Sequence, residues 1–255
     1  MKSIKSTLFA LSAFLLLNSP AFASDSAYIF QNGYGDSATT NQVAHEGADN
    51  WLNILQDYSS QYETAGVTQN GSGALEASIY QNGAGDVASV TQNGFYEYAF
   101  INQNSGTSSS TAVINQGSAS YNDAAGITQN SGYGNWARID QNGSNESAII
   151  TQGGLETNNA YIYQDELSNT ENATIGQSNS SNWGSINQYG SNDIASINQS
   201  GDGNTAVIVQ LAGGSNNQAN VNQYNGGNQA YVYQSGTGKV INVVQNSGSY
   251  ASITQ

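Results

Sequence analysis

Constrained and free positions alternate along almost the whole chain. One phrase recurs: Ala, any residue, Ile or Val, any residue, Gln. It reads AYIFQ at Ala27–Gln31, ASIYQ at Ala77–Gln81, ARIDQ at Ala137–Gln141 and ASITQ at Ala251–Gln255. The closing glutamines are Gln31, Gln42, Gln56, Gln69, Gln81, Gln92, Gln103, Gln116, Gln129, Gln141, Gln152, Gln164, Gln177, Gln188, Gln199, Gln210, Gln223, Gln234, Gln245 and Gln255. These twenty copies lie 10 to 14 residues apart, most often 11, and leave only Gln61, Gln218 and Gln229 of the 23 glutamines outside the series. A period of two with β-branched residues on the constrained face predicts a strand. Exceptions are few: Thr40 stands for Ile or Val, and Leu52, Gly184 and Ile241 stand for Ala. Six residues before the Gln, the same face carries mostly Asn, Asp or Glu, as at Asn50, Asp86, Asn135, Asn158, Asn204 and Asn228. Pairs such as Asn32-Gly33, Asn82-Gly83, Asn93-Gly94 and Asn142-Gly143 predict turns between strands, with residues that tolerate positive φ.

Equal strands joined by short turns suit either a barrel or a solenoid. A barrel lumen needs large apolar side chains, whereas Ala, Ile and Gln make a thin, partly polar interior. Stacking like on like satisfies it better, because each Gln amide bonds the Gln above and below. The expectation is therefore an all-β, two-strand-per-coil β-solenoid with cross-β stacking and about ten rungs, roughly 48 Å tall. Only Ser24 to Ser26 precede the first copy after a leader, and Gln255 is the last ladder position, so both ends are expected to be uncapped. Two bare edges of one pattern invite heterologous, non-closing addition and hence a filament.

Composition narrows the chemistry. The 255 residues hold 18 Asp+Glu against 4 Lys+Arg, a net charge of -14, and no Cys. Disulfides, thiolate metal sites and cysteine nucleophiles are excluded, and so few cations make nucleic acid an unsuitable partner. Lys2 and Lys5, the apolar run Leu8 to Leu17, and Ala21-Phe22-Ala23 read as the parts of a secretory signal peptide over 1–23, leaving 24–255 as about twenty strand-turn units. Removing it leaves Arg138 and Lys239 as the bases, and residues 203–255 hold no acid at all. That segment is expected to nucleate assembly fastest. Acids such as Asp36, Asp86, Glu97, Glu146 and Asp193 are read as charges that keep monomers apart. His45 is read as a solvated loop residue. The free-face aromatics Tyr28, Phe30, Tyr80, Phe100, Tyr161, Tyr163, Tyr231 and Tyr233 are read as cross-strand stacks that stiffen the sheet, with adhesion or lateral bundling as the functional alternative. No catalytic, cofactor or metal site is assigned, since Arg138 and Lys239 are embedded in ordinary repeats.

The stretch from Gln199 through Gly201, Asn204 and Ala206 to Gln210 resembles the curlin repeat, Gln-x-Gly-x-x-Asn-x-Ala-x-x-x-Gln. Gln31 to Gln42, Gln81 to Gln92 and Gln188 to Gln199 fit it with Asp36, Asp86 and Asp193 in the Asn place. The resemblance implies a subunit of an extracellular functional amyloid, a curli-like cell-surface fimbrium of biofilms. It also implies self-assembly as a homopolymer, a nucleator or major subunit as companion, and an outer-membrane export pore. The Gly/Asn-rich segment expected before the repeats is missing. The alternative class is a monomeric secreted β-solenoid adhesin or an ice- or carbohydrate-binding protein; a polysaccharide-cleaving β-helix ranks last.

Overall fold

The computed structural model describes residues 13–18, 25–43, 49–57, 60–165 and 169–255. Each of the twenty phrases forms one strand, from Ser26–Gln31 to Tyr250–Thr254, and successive strands alternate between two parallel sheets. The first sheet contains Ser37–Val43, Thr64–Gln69, Val87–Gln92 and every second strand after them. The second contains Ser26–Gln31, Trp51–Gln56, Glu76–Gln81 and their successors. Two strands make one coil, as the spacing predicts. Neither sheet closes on itself, so the molecule is a β-solenoid rather than a barrel.

Register repeats without slippage. Ala77 faces Ala99, Ile79 faces Ile101 and Gln81 faces Gln103 on one sheet; Ala112, Ile114 and Gln116 face Ala137, Ile139 and Gln141 on the other. A shift of one residue would turn the Ile and Gln columns to solvent. The two inner faces meet in a core of stacked Ala and Ile or Val, nearly all of them fully buried. Each buried Ile contributes about 1.5–3 kcal/mol relative to exposure, but only when the layers above and below are in place. Gly184 is accommodated in the Ala column because an added Cβ would stand 3.0 Å from Ile175 Cγ2 across the core.

The first sheet has one further strand, Ala13–Asn18, which pairs in parallel with Ser37–Val43 and places Leu15 opposite Thr40. It comes from the apolar run of the expected leader. The strand is outermost and has one neighbour, so its removal would leave the rest of the pairing untouched and make Ser37–Val43 the edge. Lys2, Lys5, Ala21-Phe22-Ala23 and His45 lie outside the described residues.

The turns stack as well as the strands. Parallel bridges run Phe95 to Tyr121 to Ser144 to Asn169 to Ser191 to Ser215 to Thr237 along one corner. In sixteen turns the residue directly before the position six ahead of the Gln has positive φ, from Gly35 to Gly248. This corrects the reading of the Asn-Gly pairs, whose glycines do not take up the left-handed conformation. Gly83 is required for space instead: a Cβ there would lie 2.5 Å from Thr107 Oγ1 and 2.7 Å from the Thr107 carbonyl of the next layer, with Asp86 closer still. At the left-handed position Gly and Asn are common, but Thr170 also occupies it with φ 62. A β-branched residue there costs about 1–2 kcal/mol. Thr170→Gly is therefore expected to stabilise the fold by about 1 kcal/mol, read as a higher denaturant midpoint; a lowered midpoint would contradict the strain.

Candidate functional site

Two hydrogen-bonded amide columns run the length of the molecule. On the second sheet, Gln31 Nε2 donates to Gln56 Oε1 at 2.7 Å. The relay continues through Gln81, Gln103, Gln129, Gln152, Gln177, Gln199 and Gln223 to Gln245 at 2.8–3.0 Å. On the first sheet, Gln42, Gln69, Gln92, Gln116, Gln141, Gln164, Gln188, Gln210 and Gln234 are joined at 2.8–3.1 Å. From Gln42 onward each Nε2 also reaches across the core, as from Gln81 to the Thr64 carbonyl at 3.2 Å. Gln42 to Gln245 are all buried, and Gln31 is half-buried. Gln255 stands apart from the series in which the sequence places it. It is exposed, follows the end of its strand, and bonds through its backbone to Tyr233 and Ser235.

All these amides point the same way. Every Nε2 donates toward the C-terminal side, so each column has an acceptor end and a donor end. At the acceptor end, Oε1 of both Gln31 and Gln42 is buried without a hydrogen-bond partner. An orphaned buried acceptor costs about 1–3 kcal/mol.

A second pair of columns lies at the corners, six residues before each Gln. There a side-chain oxygen accepts the backbone N–H of the residue stacked on it, as Asn135 Oδ1 does from Asn158 at 3.0 Å and Asn182 Oδ1 from Asn204 at 3.0 Å. Aspartate makes the same bond: Asp123 accepts from Glu146 N–H at 2.9 Å, and Asp193 from Asn217 N–H at 2.8 Å. The acids read from the sequence as surface charges are therefore mostly interior. Asp36, Glu63 and Asp86 occupy successive layers of one corner, and Glu97, Asp123, Glu146, Glu171 and Asp193 successive layers of the other, all buried. Their parity forces this, because the sixth position back shares the face of Ala, Ile and Gln. In several layers acid and amide differ at the second atom, although Asp36 Oδ2 and Asp86 Oδ2 accept from Ser60 and Thr107 hydroxyls. Asn158 Nδ2 donates to the Asn179 carbonyl at 2.8 Å, whereas Glu63 Oε2, Glu97 Oε2, Asp123 Oδ2 and Asp193 Oδ2 are buried without partners. A proton is what such an oxygen lacks. Burial, offset in part by the Gly83 N–H and reinforced by the neighbouring Asp86 and Asp36, pushes Glu63 up to about 8. Burial likewise raises Glu97 to about 8, with Asp123 adding to the rise, and Asp123 to about 8, with Glu146 adding to it. Among the described residues no group of three or more His, Asp and Glu is placed to hold a metal ion.

The outward aromatics pair less than the stacking reading requires. Of those singled out, Tyr161, Tyr163 and Tyr231 meet another ring, in the pairs Trp136–Tyr161, Tyr163–Tyr189 and Tyr231–Tyr250. Tyr28 and Phe30 remain exposed. The turns hold two further pairs, Tyr34–Tyr62 and Tyr96–Tyr121, edge to face at 5.3 and 5.7 Å. Their residues sit at unequal distances from the nearest Gln, so sequence spacing does not reveal them.

Residues 194–224 match the family model of the curlin associated repeat. No curated protein matches the chain. The matched segment comprises three consecutive strands, Ile194–Ser200, Thr205–Gln210 and Gln218–Tyr224. Their Ala, Ile or Val, and Gln registers are those of the layers on either side.

Proposed function

We propose that this curlin-repeat chain is a structural subunit of an extracellular, curli-like amyloid fibre, exported with residues 1–23 as a secretory leader and growing by addition of layers head to tail. The polarity of the amide columns carries the reading. One end presents the unmet Oε1 of Gln31 and Gln42. At the other end, Gln223 donates to Gln245, and Gln245 Nε2 donates only to the Gln229 carbonyl behind it. A second copy whose donor end abuts the acceptor end of the first continues the second-sheet column, from Gln245 to the next copy's Gln31, and the Ile core beneath it. The contact is heterologous and does not close, which is the geometry of a filament. The edge strands Val240–Asn246 and Ser26–Gln31 supply backbone groups for the same junction.

Within this reading the partners are further copies of the chain, a nucleating or major subunit of the same repeat type, and an outer-membrane export pore. The location is the cell-surface fimbrium, and the role is biofilm matrix and surface adhesion. Purified chain lacking residues 1–23 is expected to bind a cross-β dye and to give fibre diffraction at about 4.7–4.8 Å along the fibre axis. A chain that stays monomeric and soluble at high concentration would overturn the proposal in favour of a solitary solenoid adhesin.

A further inference from the structure

One cluster on the outward face of the first sheet has no part in the amide columns. Trp136 and Trp183 occupy one column two layers apart, with Asn159 between them. In the adjoining column Arg138 stands beside Tyr161. Trp136, Arg138, Tyr161 and Trp183 together line a shallow, open depression. The Trp136 and Tyr161 rings are 6.5 Å apart and tilted by 35°, and Trp183 is 45% exposed.

The polar groups are fixed from below. Asp140 Oδ2 accepts from Arg138 Nε at 2.7 Å and from the Tyr161 hydroxyl at 3.0 Å, while Oδ1 accepts from Asn115 Nδ2 at 2.7 Å. One edge of the guanidinium is thereby anchored while the side chain stays 44% exposed, which leaves the Nη groups as donors for a ligand. The exposed Trp183 and the half-buried Trp136 supply flat apolar faces with little conformational freedom to lose. The charge of the depression selects its occupant. The Arg138–Asp140 pair leaves it neutral within a chain of net charge -14, so a polyanion is repelled by the whole molecule and a cation finds no unmatched acid. What fits is a neutral ring with an apolar face and a rim of hydroxyls.

We propose that Trp136, Trp183, Tyr161 and Arg138 form a subsite for a neutral hexopyranose unit of a polysaccharide, its C–H face against the indoles and its hydroxyls accepting from the Arg138 Nη groups. The subsite is complete within one chain and stands whether or not the chain polymerises. Along a filament it would recur once per subunit, and many weak contacts to one polymer would then act together.

The test is titration of the folded, full-length repeat region with cellohexaose, followed by indole fluorescence. A saturable change is expected, weakened tenfold or more in Trp183→Ala and at least threefold in Arg138→Gln, and unchanged in Trp51→Ala, whose indole is exposed on the opposite sheet. Circular dichroism of each variant checks that the sheets are retained. Should Trp183→Ala fail to fold, Arg138→Gln and Trp136→Tyr decide. The proposal is overturned by wild-type protein showing no saturation in the millimolar range, by equal binding in Trp183→Ala, by tighter binding of polygalacturonate than of cellohexaose, or by a Trp183→Ala effect confined to lateral association of copies.

Discussion

Raising the pH from 5 to 8 is expected to weaken the folded stack by several kcal/mol. Glu63, Glu97 and Asp123 have ordinary values of 4.5, 4.5 and 3.8 and are each raised to about 8 on burial. Between those limits the folded chain retains protons that the unfolded chain has released. Their contribution to stability is therefore complete below the unfolded values and is lost as pH rises through 8, at up to about 1.4 kcal/mol per group per pH unit. Charge repulsion between exposed acids would push the same way but would fade with salt, whereas desolvation of interior carboxylates would not. Guanidinium midpoints measured across pH 5–8 should fall, while urea midpoints at two ionic strengths should fall equally. The double variant Glu97→Gln with Asp123→Asn should flatten the curve and exceed the parent at pH 8. Midpoints that are flat or rise with pH would refute the interior placement of the protons.

Breaking one amide column in the middle should be costlier still. Gln141 accepts from Gln116 at 3.1 Å and donates to Gln164 at 3.0 Å and to the Ala124 carbonyl at 3.1 Å. Gln141→Ala would leave one N–H of Gln116 unpaired, its other bond to the Tyr98 carbonyl remaining, leave Gln164 Oε1 without its donor and open a void, for a loss of about 3–6 kcal/mol. Gln141→Leu would keep the volume and still remove both partners, at about 2–4 kcal/mol. Gln255→Ala, at an exposed position, should change stability by less than about 0.5 kcal/mol. If Gln141→Leu were no worse than Gln255→Ala, hydrogen bonding along the column would not hold the layers in register.

The sequence carries the repeating part of this architecture almost completely. The same residue types two apart, returning every 10 to 14 residues, fix both the buried face and the layer that each strand meets. What it obscures has three physical sources. The corner acids are charged, and charge argues for solvent; yet Glu97 and Asp123 share the parity of Ala99 and Ala125, and that parity decides. The left-handed residue of each turn is occupied by Gly, Asn, Tyr, Ser and Thr in different copies, so composition hides a position that its fixed offset before the corner residue identifies. Trp136 and Trp183 become neighbours in one column only through register, since 47 residues separate them along the chain.

The corner columns change character along the axis. From Asn204 onward every stacked corner residue is an amide, a hydroxyl or Lys239, whereas the layers before it contain the runs of buried acid. At neutral pH the molecule therefore has a gradient of local stability. Its C-terminal coils hold no buried acid, whereas Glu63, Glu97 and Asp123 in the coils before them take up protons as those coils form. The C-terminal coils are thus the part of the chain whose ordering is least coupled to proton uptake.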